Sequence, residues 1–214
     1  MSRAQRKGAF IVLEGLDGAG TSTQVRRLAA SLRSSGHRVT ATGEPSDLPI
    51  GRLIRSALRR RLPGHERGET LSHEALALLF AADRLDHLHQ QIFPALGRGE
   101  VVLCDRYLLS SLVYQGLTTQ PAWVSQVNRL AVLPDLTLFI DVDPKTAAAR
   151  RAARGKEAEL FEDEQMQQKV AARYRRVIRD RGRRERIISI DGTKSIEEVT
   201  AQALKLIDRQ TGVA

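Results

Sequence analysis

The chain has 214 residues, one cysteine, and 34 lysines and arginines against 25 acids, a formal charge of +9 at pH 7. Its 42% apolar and 28% charged residues exclude wholesale disorder, and its longest apolar run, 75–82, is far too short to span a bilayer. Lone Cys104 excludes an internal disulfide, and Glu14 interrupts the N-terminal apolar stretch too early for a secretory leader, so a cytoplasmic setting is expected. The positive charge is mostly arginine, 28 residues against 6 lysines, and such a surplus points first to polyanionic partners.

Residues 9–13 (AFIVL) form an uninterrupted apolar run bounded by glycine, the pattern of a buried strand. Val25, Leu28, Ala29 and Leu32 then recur at helical spacing over 22–35, with Gly36 suited to the helix end. A short strand is expected at 39–42, and behind Pro49 a helix carrying Ile50, Leu53, Ile54, Ala57 and Leu58. Residues 72 to about 97 read as one long helical stretch ended by Pro94 and the nearby glycines. Further strands are expected at 101–104 (VVLC), 136–140 (LTLFI) and 187–190 (IISI), and Ser195 with Glu198 has capping-box spacing ahead of a last helix. Short apolar strands alternating with helices predict an α/β fold with a mostly parallel, five-stranded sheet covered on both faces. Strand order is not readable from this pattern. No linker or repeat divides the chain, so 1–214 is expected to be a single domain.

The first strand runs directly into Gly15, Leu16, Asp17, Gly18, Ala19, Gly20, Thr21, Ser22 and Thr23. This string resembles the phosphate-binding loop G-x4-G-K-[ST], with Thr21 in the lysine position. Glycines let backbone N–H groups turn toward a phosphate, and the following helix offers its positive end. The hydroxyl after the lysine position, here Ser22, is the magnesium ligand of such loops. Residues 101–105 are four apolar residues ending in Asp105, the form of a strand that delivers a carboxylate to the same metal. Cys104 beside it reads as a buried strand residue. None of the five histidines has metal-ligand spacing, and His87 and His89 are expected to be exposed.

Taken together, these blocks resemble the thymidylate kinases, the P-loop nucleoside-monophosphate kinases that phosphorylate dTMP. The resemblance is carried by FIVLEGLDGAG from Phe10, TGEP at 42–45, FAADR at 80–84, DRY at 105–107, SSLVYQG at 110–116 and PDLTLFID at 134–141. It implies a three-layer P-loop fold, ATP and dTMP as substrates, Mg2+, a homodimer, and neither nucleic acid nor membrane as partner. By the same resemblance, Phe80 stacks on the thymine ring and Arg84 hydrogen-bonds its edge. Arg106 holds the dTMP phosphate, Asp17 lies near the sugar 3′-hydroxyl, and Ser111, Tyr114 and Gln115 line the nucleoside pocket. Glu44, Pro45 and Arg55 fall on the acceptor side. Residues 145–162 resemble the lid that closes over ATP, with Arg150, Arg151 and Arg154 on a helix after Pro144.

Two expected cations are absent, since Thr21 replaces the loop lysine and Gly43 the arginine of T-R-E-P. Phosphoryl transfer depends on positioning and electrostatic stabilisation, so a missing charge must be supplied elsewhere or activity falls. Arg150 or Arg154, then Lys156, are the expected substitutes. The alternatives left open are a kinase for another nucleotide or nucleoside on the same fold, a nucleotide-binding homologue without catalysis, and, from charge alone, a nucleic-acid binder. The last lacks interleaved aromatics, which make up only 4% of the chain.

Overall fold

A computed structural model describes residues 7–62, 64, 66, 69–153 and 164–213. Its elements run β1 (Phe10–Gly15), α1 (Thr21–Ser34), β2 (Val39–Gly43), α2 (Pro49–Leu58), α3 (His73–His87), a π turn (Leu88–Ile92), α4 (Phe93–Gly97) and β3 (Val101–Asp105). There follow α5 (Leu108–Thr118), α6 (Pro121–Val127), β4 (Leu136–Asp141), α7 (Pro144–Ala152), α8 (Glu164–Glu185), β5 (Ile187–Asp191) and α9 (Ile196–Thr211).

The five strands are all parallel, in the order β2-β3-β1-β4-β5. Period-two alternation divides the side chains of β1 and β3 between two cores. Ile11, Leu13, Val101 and Leu103 join one core with Leu28 and Leu32 of α1. Phe10, Val12, Val102 and Cys104 join the other with Leu96, Leu108, Leu112 and Val124. A strand apolar on both sides therefore needs helices on both faces, and it has them: α1 and α9 on one, α4, α5 and α8 on the other.

Each predicted strand runs one or two residues further, to Gly15, Gly43, Asp105, Asp141 and Asp191, because ladder pairing continues past the apolar run. The predicted capping box forms, with Ser195 and Glu198 bonding each other's backbone N–H. Pro94 does not end the long helical stretch. The π turn just before it, closed by the Phe93 N–H on Leu88 O, relieves the crowding a proline ring imposes on the preceding turn, and the chain stays helical to Gly97. Part of the basic cluster at 173–186 is absorbed structurally: Arg173 Nε donates to Leu112 O at 2.9 Å, and Arg181 pairs with Glu185 at 2.6 Å. Among the described residues no helix is long and apolar enough to cross a membrane.

Candidate active site

Parallel strands leave their carboxyl ends on one edge, where an α/β sheet characteristically places ligands. Here β1, β2 and β3 end side by side, with Asp105 in register with Leu13 on one side and Gly43 on the other. The glycine loop leaves β1 at this edge. Gly20, at φ 97, turns the chain into α1 and makes no side-chain cap, so the amides of the first helical turn stay open for an anion. Thr21 is buried at the start of that turn.

The other side of the loop is covered by α7. A Cβ on Gly18, at φ 94, would lie 2.3 Å from Ala147 O, so only glycine allows the two backbones to approach. Four residues along the same helix, Arg151 Nη1 donates to Asp17 O at 2.6 Å. Arg150, expected to serve the loop, instead donates through Nη2 to Gly192 O at 3.0 Å. Adjacent helical residues point about 100° apart, and α7 presents Arg151 to the loop. Arg154 and Lys156, with 154–162 of the expected lid, lie outside the described residues.

Beyond β3 the chain turns through Arg106, which sits at φ 67, uncommon for a side chain with a Cβ. Its guanidinium donates to Asp17 Oδ1 at 2.6 Å and Ser110 Oγ at 3.2 Å, and lies 5.5 Å from the centroid of the Tyr114 ring. The Tyr114 hydroxyl donates to Asp17 Oδ2 at 3.2 Å, and burial pushes its pKa up, so it remains a donor. Asp105 receives the Ser22 hydroxyl on Oδ2, while its Oδ1 is buried with no hydrogen-bond partner. A hydroxyl and a half-satisfied carboxylate suit Mg2+, which takes one or two protein oxygens and completes its shell with phosphate and water. Burial and the neighbouring carboxylates Glu44, Asp105 and Glu14 raise the pKa of the Cys104 thiol, which keeps it protonated and unreactive.

Opposite the loop stand Phe80 and Arg84, one turn apart on α3. Arg84 is 1% exposed and engaged by Asn128 Oδ1, Glu44 Oε2 at 2.7 Å, Tyr107 O at 3.1 Å and Ser111 Oγ at 3.0 Å. Its Nε is buried without a partner. His87 is fully buried, not exposed. Helical spacing puts it one turn beyond Arg84 and Asp83, where Nε2 meets Thr42 Oγ1 at 2.7 Å and Nδ1 lies 3.4 Å from Glu44 Oε1. Asp83 accepts from the Ser46 N–H at 2.8 Å and hydroxyl at 2.5 Å, and burial raises its pKa. Arg55 donates to Pro45 O and Ser46 O and pairs with Asp47 at 3.0 Å. These contacts hold the segment after β2 against α3.

The loop, the Asp105–Arg106 turn and the Phe80–Arg84 face of α3 border one cavity of about 780 Å3, whereas Arg151, Cys104, Asp83, His87 and Asn128 stand outside its lining. Its lining brings together Asp17, Gly18, Gly20, Thr21, Ser22, Thr23, Glu44, Pro45, Arg55, Phe80, Arg84, Asp105, Arg106, Ser111, Tyr114 and Gln115. Gly15, Leu16, Ala19 and Arg150 are not among the lining residues. Leu16 and Ala19 are buried behind the loop as core. Residues without a role in the sequence reading are Glu14, Asp83, His87, Asn128 and Tyr174, while Arg151 enters it only as one of the lid arginines. Glu14 left one trace, as the only acid ending the apolar run FIVL; the others carry no local signal.

Residues 13–203 match the family model described as thymidylate kinase. A protein of Pyrococcus abyssi described as a probable thymidylate kinase is 39% identical over 207 residues, covering 95% of this chain and 98% of its own. The thymidylate kinase of Ruegeria pomeroyi is 39% identical over 206 residues, covering 94% of each chain. That of Pelotomaculum thermopropionicum is 40% identical over 217 residues, covering 93% of this chain and 97% of its own. With the glycine loop, the Asp105–Arg106 turn and the Phe80–Arg84 wall around a single cavity, the chain belongs to the thymidylate kinase family.

Proposed function

We propose that this protein transfers the γ-phosphoryl group of ATP to dTMP, giving ADP and dTDP. The carrying observation is that one cavity is lined together by the glycine loop, by Phe80 and Arg84 of α3, and by Asp105 and Arg106. In the transfer, a phosphate oxygen of dTMP bonds to the γ-phosphorus as the bond to the β,γ-bridging oxygen breaks. No residue need become covalently modified.

In this reading the loop amides from Gly15 to Thr23 bind the ATP phosphates. Phe80 stacks on the thymine, Arg84 offers Nε to the base edge, and Ser111, Tyr114 and Gln115 line the nucleoside side. Asp17 faces the sugar. Arg106 fixes the acceptor phosphate with a forked guanidinium, and Glu44, Pro45 and Arg55 bound the acceptor side. Ser22 and Asp105 would hold Mg2+, which when bound neutralises charge on the transferring phosphates. The missing loop lysine is answered from α7, where Arg151 joins the loop backbone; Arg150 and Arg154 remain assigned to the same lid. Residues 1–214 act as one kinase unit, in the cytoplasm and as a homodimer, which light scattering of the purified protein tests.

A coupled assay of ADP release with dTMP, dUMP or no acceptor tests the activity. ADP release that requires an acceptor and is fastest with dTMP supports it. Nucleotide binding with no acceptor-dependent ADP would overturn it.

A further inference from the structure

We propose that Glu14 is the positioning residue for Arg106, acting through the hydroxyl of Ser110. The proposal rests on the reading of Arg106 as the phosphate-holding side chain and adds what holds that side chain.

Glu14 is the one charged residue in β1 and is fully buried. Strand alternation puts it on the same face as Phe10 and Val12, beneath α5 and α8. A buried carboxylate persists only if its oxygens are filled. Oε1 accepts from the N–H groups of Tyr107 at 2.9 Å and Ser110 at 3.0 Å. Oε2 accepts from the hydroxyls of Ser110 at 2.6 Å and Tyr174 at 3.0 Å. Tyr107, the N-cap of α5, makes no side-chain cap of its own, so Glu14 caps that helix from a different strand and puts an anion at its positive end.

The consequence for Arg106 follows from counting protons. A serine hydroxyl has one, and an ionised carboxylate only accepts. With Glu14 Oε2 2.6 Å away, the Ser110 proton goes to Glu14. The Ser110 lone pairs are then free for Arg106 Nη1, 3.2 Å away. Tyr174 is nearer to Glu14 Oε2, at 3.0 Å, than to Ser110 Oγ, at 3.2 Å, so its proton also goes to the carboxylate. The guanidinium is thereby pinned at both ends, on Ser110 and on Asp17, while its backbone sits at φ 67 with its N–H on Leu13 O at 2.8 Å. Such a backbone persists only where its surroundings over-determine it. A glutamine at position 14 offers an N–H where an acceptor is required. With its amide oxygen facing the N–H groups of Tyr107 and Ser110, its nitrogen faces both hydroxyls, which must turn their protons away, and nothing then holds the Ser110 proton off Arg106.

The test separates phosphate binding from general damage, because thymidine occupies the same pocket without a phosphate. Affinities for dTMP and thymidine are measured calorimetrically on wild type, Glu14→Gln, Ser110→Ala and the double variant. Loss of a hydrogen bond to a charged group predicts about tenfold weaker dTMP binding for either single variant, with thymidine changed by less than about twofold. The double variant is expected to be no weaker than Glu14→Gln alone, since both act through one contact. Equal losses for both ligands, or unchanged dTMP binding in folded Glu14→Gln, would overturn the proposal. If Glu14→Gln does not fold, Ser110→Ala decides: an unchanged ratio of dTMP to thymidine affinity overturns it. A wild type that does not prefer dTMP to thymidine would instead remove the phosphate-holding reading of Arg106 on which the proposal stands.

Discussion

Arg84 and Glu44, forty residues apart in sequence, form an ion pair at 2.7 Å in which neither side chain is more than 2% exposed. Glu44 also faces His87, so a single carboxylate joins the end of β2 to two successive turns of α3. Removing one partner of such a pair strands a charge away from water. Glu44→Ala is expected to lower stability by about 3–5 kcal/mol, a fall in Tm of roughly 6–20 °C for a chain of this size. Urea and thermal unfolding measure it, and a loss below about 1 kcal/mol would show that water reaches Arg84.

Phe80 is half-buried and borders the cavity, so its ring is available to a ligand. Base–aromatic stacking is worth about 1–3 kcal/mol, which predicts a rise of roughly tenfold or more in KM for dTMP on Phe80→Ala, with KM for ATP little changed. Steady-state kinetics with each substrate varied in turn check this. A change confined to ATP would place the base elsewhere.

Arg151 and Thr21 are expected to be linked functionally. Arg151→Ala removes the cation that reaches Asp17 O and should raise KM for ATP or lower kcat, about tenfold overall, as loss of a charged hydrogen bond to the loop predicts. Adding Thr21→Lys should recover much of that loss if the loop chiefly lacks charge. Because Arg150 is bound to Gly192 O, Arg150→Ala is expected to have the smaller effect. A double variant no better than Arg151→Ala alone would show that the pocket is rebuilt around threonine.

Glu14 predicts a specific pH dependence. Burial raises its pKa in the folded chain above the ordinary 4.5, against the opposing influence of Arg106 and its hydrogen bonds. Between 4.5 and the raised value the native chain binds the proton more tightly than the unfolded chain, so this group's contribution to stability is lost as pH rises through that window. Glu14→Gln lacks this loss. The difference in Tm, variant minus wild type, is therefore expected to rise as pH increases from about 4.5 and to level off once Glu14 is ionised in both states. A difference flat across that range would mean that the four donors and Arg106 fully offset burial.

What the sequence determined by itself is local or periodic. Apolar runs such as 9–13 and 101–104 define strands because a strand covered on both faces must be apolar throughout, and the Ser195–Glu198 spacing defines a helix start because its bonds are made within four residues. The loop from Gly15 to Thr23 was legible for the same reason, since consecutive residues form it. The tertiary structure alone decided the strand order, the burial of His87 against Thr42 and Glu44, the choice of Arg151 over Arg150, and the four donors on Glu14. Each of these depends on contacts between residues far apart in the chain, and no spacing in sequence records which two strands become neighbours. The basic surplus divides along the same line. Its sign was plain from composition, but packing determined that Arg84 and Arg106 turn into one cavity while Arg173 is tied to the backbone of α5.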